Sequence, residues 1–379
     1  MTDAVQQTDR QRLADARRWV VKVGSALLTN DGRGLDASVV KMLADQLAAL
    51  RSRGCDVVLV SSGAIVAGLA RMNLPERPHE VHLSQAAAAV GQSALVRAYE
   101  EHLSPHGVTT AQILLSHADV RARDRYLNAR STLSTLLAMN VLPIVNENDT
   151  VVTDEIRLGD NDTLAALVAN LVDADALLIL TDQDGLMDSD PRQSVDAALI
   201  QTADVHDSSL DAIAGAGSAL GRGGMATKLS AARLAARSGT ATVIANGRQA
   251  DAITQVAGGA SLGTFLKTQR QPQSARKQWL ASLLHAQGSL VLDDGAVRGV
   301  SDQGRSLLPI GVVSVAGDFQ RGDLVSCLDS TGRERARGLA NYSSEEAKAL
   351  AGKPSADIES VLGYRGEEEL IHRDNLVGS

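Results

Sequence analysis

The chain has 379 residues and a formal net charge of −8, from 37 Lys and Arg against 45 Asp and Glu. That length is past the size one hydrophobic core usually organises, so two unequal domains are expected, and the acidic balance argues against a protein whose main task is gripping nucleic acid backbones. Hydrophobic residues make up 44% but aromatic ones only 2%, so Ala, Val and Leu must do the packing, as suits helices laid on a parallel sheet. Cys55 and Cys327 lie far apart with no neighbouring His. They read as two small buried hydrophobes rather than as a disulfide or a zinc site.

Residues 1–18 are polar and mixed in charge, with no apolar signal region. They read as a loose N-terminal lead on a soluble cytoplasmic chain. From Trp19 onward, short runs rich in Val, Ile and Leu recur: RWVVKVG, DVVLVSSGA, GVTTAQILL, VLPIVNEN, ALLILTD and ATVIANG. Each is apolar on both faces, as a buried strand is. Stretches of helical period lie between them, at 38–51, 83–103, 128–139 and 163–171. This βαβ alternation predicts an α/β fold, a parallel sheet sandwiched between helices, over 19–268. Residues 269–278 are polar with Pro and several Gln, as in a linker. Beyond them, over 279–379, short strands with Gly turns and one helix near 344–351 predict a small β-rich barrel domain.

Candidate chemistry gathers at strand ends. Lys22 sits at the end of the first strand, immediately before the turn Gly24-Ser25. In open α/β sheets that edge is where ligands bind; Gly24 admits a phosphate close to the backbone, and Lys22 supplies a compact positive charge. No GxxxxGK[ST] loop is present, and a Lys before a Gly is by itself ordinary turn chemistry. The second strand ends in Ser61-Ser62-Gly63, a turn that opens a helix and so offers N–H groups to an anion, or simply an N-cap.

Residues 146–162 hold nine Asn, Asp and Glu in seventeen positions, among them Asn146, Asp149, Asp154, Glu155, Asp160, Asn161 and Asp162. Interleaved amides and carboxylates at a strand end suit a site that must hydrogen-bond both an ammonium and a carboxylate, as an amino acid substrate requires. Thr181-Asp182 close the next strand, before a loop suited to a nucleoside. The run Gly221-Arg222-Gly223-Gly224-Met225-Ala226-Thr227-Lys228 opens a helix and forms a phosphate cradle with its own lysine. Two lysines, glycine turns and acids without a nucleophilic triad are the inventory of phosphoryl transfer, which depends on positioning and charge.

KVGSALL, VLVSSGAIVAG, QAAAAVGQSALV, VLPIVNENDTVVTDEIRLGDNDTLAALVANL, LLILTDQDGLMDSDPR and GRGGMATKL, in this order, resemble the glutamate 5-kinase family of amino-acid kinases. SLLPIGVVSVAGDFQRGD and the late LGYRG resemble the PUA domain that follows the kinase domain in many members. The resemblance implies ATP-dependent phosphorylation of the side-chain carboxylate of L-glutamate, the first step of proline biosynthesis, with Mg²⁺ held chiefly through the nucleotide phosphates and no dedicated protein metal site. It implies Lys22 and Lys228 as phosphate-contacting lysines, and charge logic makes Asp162 the acid that orients them. The nucleotide would meet Gly24, Thr181, Asp182 and the loop Arg222, Gly223, Gly224, Met225, Ala226, Thr227 and Lys228. Glutamate would meet Ser62, Asp149 and Asn161. Arg222 and Ala26 depart from the hydroxyl residues more usual in the family.

The resemblance also implies feedback inhibition by proline and a downstream reductase for the acyl phosphate; a homo-oligomer is expected. The alternatives are a sibling kinase acting on another acid, against which the 146–162 block speaks, and an RNA-binding protein. From Arg276 onward the chain carries 12 Lys and Arg against 15 Asp and Glu, net −3, which lacks a nucleic acid footprint. Neither nucleic acid nor a membrane is expected as a partner.

Overall fold

A computed structural model describes residues 10–29, 34–74, 78, 80–151, 161–189, 196–215, 224–268, 286–301 and 303–378. The chain divides into two compact units, one drawn from 1–118 and 130–272, the other from 119–129 and 273–379.

The first unit is built on an eight-stranded sheet of β1 (Arg18–Val23), β2 (Asp56–Ser61), β3 (Thr110–Leu115), β4 (Leu142–Glu147), β5 (Ala176–Thr181), β6 (Thr202–Asp204), β7 (Ala241–Asn246) and β8 (Thr264–Lys267), in the order β3-β4-β2-β1-β5-β7-β8-β6. All six strands expected from the apolar runs are present, and they pair in parallel from β3 through β7. The sheet is not wholly parallel, because β8 runs antiparallel to β7 and carries β6 with it. The reversal is made at Gly263, whose φ of +67° suits glycine and where a Cβ would stand 2.2 Å from the Ile244 carbonyl oxygen. Both missed strands are short, and neither TAD nor TFLK carries an apolar run long enough to announce itself.

Side chains alternate across each strand. Trp19, Val21 and Val23 of β1 enter a core with Val57, Leu59, Leu178 and Leu180 of its neighbours. The same alternation turns Val20 and Lys22 to the opposite face. Two helices, α1 (Ala64–Arg71) and α2 (Val81–Leu103), cross closely. A Cβ added at Gly68 would lie 1.7 Å from the Ala87 carbonyl oxygen, and one at Gly91 would lie 1.8 Å from that of Ala64. The crossing therefore exists only because both positions lack a side chain.

Residues 10–18 are not a loose lead. The Arg10 guanidinium donates to the carbonyl oxygens of Gln201, Ala260, Leu262 and Gly263 at 2.7–3.1 Å, and Leu13 is buried in the core of the first unit. A guanidinium carries five donors in a fixed fork, which explains how a single polar residue pins this segment.

The second unit has its own sheet of β9 (Gly288–Leu292), β10 (Val312–Gly317), β11 (Leu324–Leu328), β12 (Glu334–Leu339) and β13 (Leu376–Gly378), ordered β10-β9-β11-β12-β13. Residues 294–301, read as part of a strand region, instead form a helix. Asp293 explains this, since its carboxylate accepts from the Ala296 N–H at 2.7 Å and starts the turn. The expected helix at Ser344–Leu350 is present, started by a reciprocal Ser343–Glu346 capping box. Leu127 is buried with Leu324 and Leu339, a membership that the sequence order hides. Cys327 is buried in the unit's core, where desolvation pushes its thiol up to about 12; Cys55 is only half-buried.

Gly91→Ala should lower the unfolding free energy by ~1–3 kcal/mol through overpacking of the helix crossing. Gly299→Ala, where an added Cβ meets nothing, should be neutral or slightly stabilising. Denaturant titration of the two variants checks the contrast; equal midpoints would refute the packing account.

Candidate active site

The parallel register aligns the carboxyl ends of five strands: Val23 lies opposite Ser61 and Leu180, and Thr181 opposite Asn246, while β4 ends in Asn146-Glu147 beside β2. Lys22, Ser62, Asn146 and Thr181 are thereby gathered on one edge by strand pairing alone.

The centre of the site is a buried triad of charges. Helix α3 (Asn161–Leu171) carries Asp162 in its first turn, and Asp162 is 1% exposed. Its Oδ1 lies 2.5 Å from Lys22 Nζ and its Oδ2 3.1 Å from Lys228 Nζ. Lys228 stands on helix α4 (Met225–Ala236) and, like Lys22, is buried. The Thr227 hydroxyl donates to Asp162 Oδ2 at 3.0 Å and lies 2.7 Å from the Gly224 carbonyl oxygen. Burial alone would raise the Asp162 pKa, but the two ammoniums outweigh it and hold the carboxyl below the usual carboxylate range.

A second cluster is made of amides and hydroxyls. Asn161 Nδ2 donates to Ser62 Oγ at 2.8 Å and to Asn146 Oδ1 at 3.0 Å. Asn146 Oδ1 also accepts from the Glu147 backbone N–H at 2.9 Å, and its Nδ2 donates to Gln92 Oε1 at 2.7 Å. Ser62 precedes Gly63, whose φ of +103° turns the chain sharply from β2 into α1. Asp149 lies half-buried in the turn after β4.

On the other side of β1, Thr181 is buried and its hydroxyl donates to Asp182 Oδ1 at 3.1 Å. Asn246 Nδ2 donates to Asp184 Oδ1 at 2.9 Å, tying the end of β7 to the loop after β5. Gly24 hangs on the Leu180 carbonyl through its own N–H at 3.3 Å.

The structure thus brings Lys22, Asp162, Thr227 and Lys228 together, and Ser62 with Asn161. Gly224, Met225 and Ala226 open the helix that bears Lys228, and Thr181 and Asp182 end the adjoining strand. Arg222, Gly223, Asp154, Glu155 and Asp160 lie outside the described residues. The hydroxyl of Thr227, expected at the nucleotide, is engaged with Asp162. Two members of the amide cluster carried no assigned role: Asn146, which stood within the acidic run, and Gln92, whose signal was a lone amide beside a glycine in an Ala-rich helix. Among the described residues no three His, Cys, Asp or Glu side chains converge as a metal site, and no helix is long and apolar enough to cross a membrane.

Residues 17–246 match the Amino acid kinase family and residues 288–362 the PUA domain. The chain is 58% identical over 372 residues to Glutamate 5-kinase of Chromohalobacter salexigens, covering 98% of both chains. It is 60% identical over 369 residues to Glutamate 5-kinase of Hahella chejuensis, covering 97% of this chain and 96% of that protein. Among solved structures, UMP kinase from Bacillus anthracis superposes with a TM-score of 0.48 at 15% identity, over 67% of this chain and 97% of that one.

Asp162 also sets a pH dependence. Its folded pKa lies below its unfolded one, so its contribution to stability is full above the unfolded value, near 4, and is lost as pH falls through the folded value. The stability difference between the native chain and Asp162→Asn should therefore be flat above about pH 5, on the order of 3–5 kcal/mol, and shrink below about pH 4. Urea titrations across that range measure it, and a difference that grows on acidification would contradict the pairing.

Proposed function

Because the chain belongs to the glutamate 5-kinase family, we propose that it transfers the γ-phosphoryl group of ATP to the side-chain carboxylate of L-glutamate, giving γ-glutamyl phosphate and ADP. The observation that carries this reading is the pair of lysines held on one buried carboxylate at the sheet's ligand-binding edge. Two ammoniums that a single acid holds side by side suit the transferring phosphoryl group, where charge spreads over equatorial oxygens.

The acceptor is already ionised at pH 7, so it attacks in line without a general base. Lys22 and Lys228 neutralise charge on the phosphoryl oxygens, and Asp162 holds both side chains in place. Backbone N–H groups at the start of α4, with Arg222, Gly223 and Gly224 before it, receive the phosphates; Gly24, without a side chain, lets a phosphate lie close to the backbone, and Thr181 and Asp182 meet the nucleoside. Mg²⁺, carried on the nucleotide phosphates, supplies further charge neutralisation. Ser62, Asp149 and Asn161 bind the amino acid end of glutamate. The enzyme works in the cytoplasm as a homo-oligomer in proline biosynthesis, is inhibited by proline, and passes its labile product to a reductase.

Lys228→Ala should lower turnover by on the order of 10² or more, with ATP still bound. Trapping the acyl phosphate as a hydroxamate reads the rate, and near-normal turnover would remove the assigned role. Asp149→Ala should raise KM for glutamate and leave that for ATP nearly unchanged. Steady-state titration of each substrate separates the two constants, and the reverse pattern would show that Asp149 serves the nucleotide.

A further inference from the structure

The amide cluster has a fixed polarity. A backbone N–H can only donate, so the Glu147 amide at 2.9 Å requires the oxygen of Asn146 on its side. That places Asn146 Nδ2 toward Gln92, which must answer with Oε1, as it does at 2.7 Å. The same Asn146 oxygen draws Asn161 Nδ2 toward itself, at 3.0 Å. Asn161 is therefore left with its carbonyl oxygen turned away, buried and without a donor among the described residues. Ser62 Oγ already accepts from Asn161 Nδ2 at 2.8 Å, which leaves the Ser62 hydroxyl proton to be donated elsewhere.

We propose that Gln92 is a positioning residue for the amino acid substrate: by accepting from Asn146 it locks this relay so that Asn161 presents an acceptor to the substrate's α-ammonium and Ser62 a donor to its α-carboxylate. This rests on the assignment of Ser62 and Asn161 to glutamate. Gln92 is 7% exposed, and its Nε2 is buried with no partner among the described residues. Its head group thus serves Asn146 and ties no other described element together. Without it, Asn146 Nδ2 would be buried and unpaired, a state costly enough to favour rotation of the amide. Rotation would offer Nδ2 to the Glu147 N–H and to Asn161 Nδ2, donor against donor, and Asn161 would lose its orientation. Gln92 reaches this place because neighbouring Gly91 lets α2 lie against α1, where a Cβ would meet the Ala64 carbonyl oxygen at 1.8 Å.

The test uses the full chain carrying Gln92→Met or Gln92→Leu, whichever melts cooperatively near the native temperature. Glutamate is compared with glutarate, which keeps both carboxylates and lacks the ammonium. The expected result is a five- to thirtyfold rise in KM for glutamate, the equivalent of one lost buried hydrogen bond, with turnover and KM for ATP within about twofold. The inhibition constant of glutarate, titrated as a competitor, should rise by several-fold less than the KM for glutamate, because glutarate loses only the Ser62 donor and has no ammonium to lose the Asn161 acceptor. An unchanged KM for glutamate, or equal weakening of glutamate and glutarate, would overturn the proposal, because damage to the fold or to the pocket as a whole weakens both. Absence of glutamate-dependent ADP release from the native chain would instead sink the kinase reading itself.

Discussion

Asp162 is the constraint on which the rest of the site depends. Its two oxygens are taken by lysines from two separate elements, β1 and α4, and a third element, α3, supplies the acid itself. Burying a carboxylate costs several kcal/mol unless opposite charges repay it. Here two ammoniums do so, which is why the carboxyl stays ionised at 1% exposure. The lysines in turn lose the freedom of their four-carbon stems. Charge preorganised in this way stabilises a transition state without reorganising during the reaction.

The second constraint is the approach of α1 and α2. A helix pair normally packs at 8–10 Å, with side chains between. At Gly68 and Gly91 the backbones themselves touch, and this brings the face of α2 bearing Gln92 to the end of β4. Strand pairing fixes the register of the lysine half of the site. Helix contact fixes the amide half. The two halves rest on different physics, so a substitution can damage one and spare the other.

Much of this was legible in the sequence. Six apolar runs marked the parallel strands, and the residues at their ends named the site, because strand ends in such sheets have few other uses. Lys22, Asp162 and Lys228 stood in recognisable turns, although their meeting, at separations of 140 and 66 positions, follows only from the sheet order. What escaped was whatever lacked a periodic signal. β6 and β8 are short and partly polar, the reversal at Gly263 is a single residue, and the helix at 294–301 grows from one capping aspartate. Arg10 looked like part of a polar lead, since nothing in MTDAVQQTDRQRL marks which arginine will find four carbonyls. Gln92 was invisible because its role depends on a glycine contact with another helix. The placement of 119–129 with the second unit shows that chain order and packing need not agree.

Asn161 and Asp162 are consecutive residues in the first turn of α3, and successive side chains on a helix diverge by about 100°. One therefore faces Ser62 and Asn146 while the other faces the two lysines. The acceptor half and the phosphoryl half of the proposed reaction are thus joined by a single peptide unit. Neither can shift along the helix axis without moving the other. In-line transfer requires a nucleophile and a phosphorus held within a few tenths of an ångström of contact distance, and one rigid helical step meets that demand more simply than two loops adjusted separately. It also means that the helix start is doubly committed: rotation that improved the amide contacts would pull the carboxylate from its lysines, at the higher cost of two unpaired buried charges.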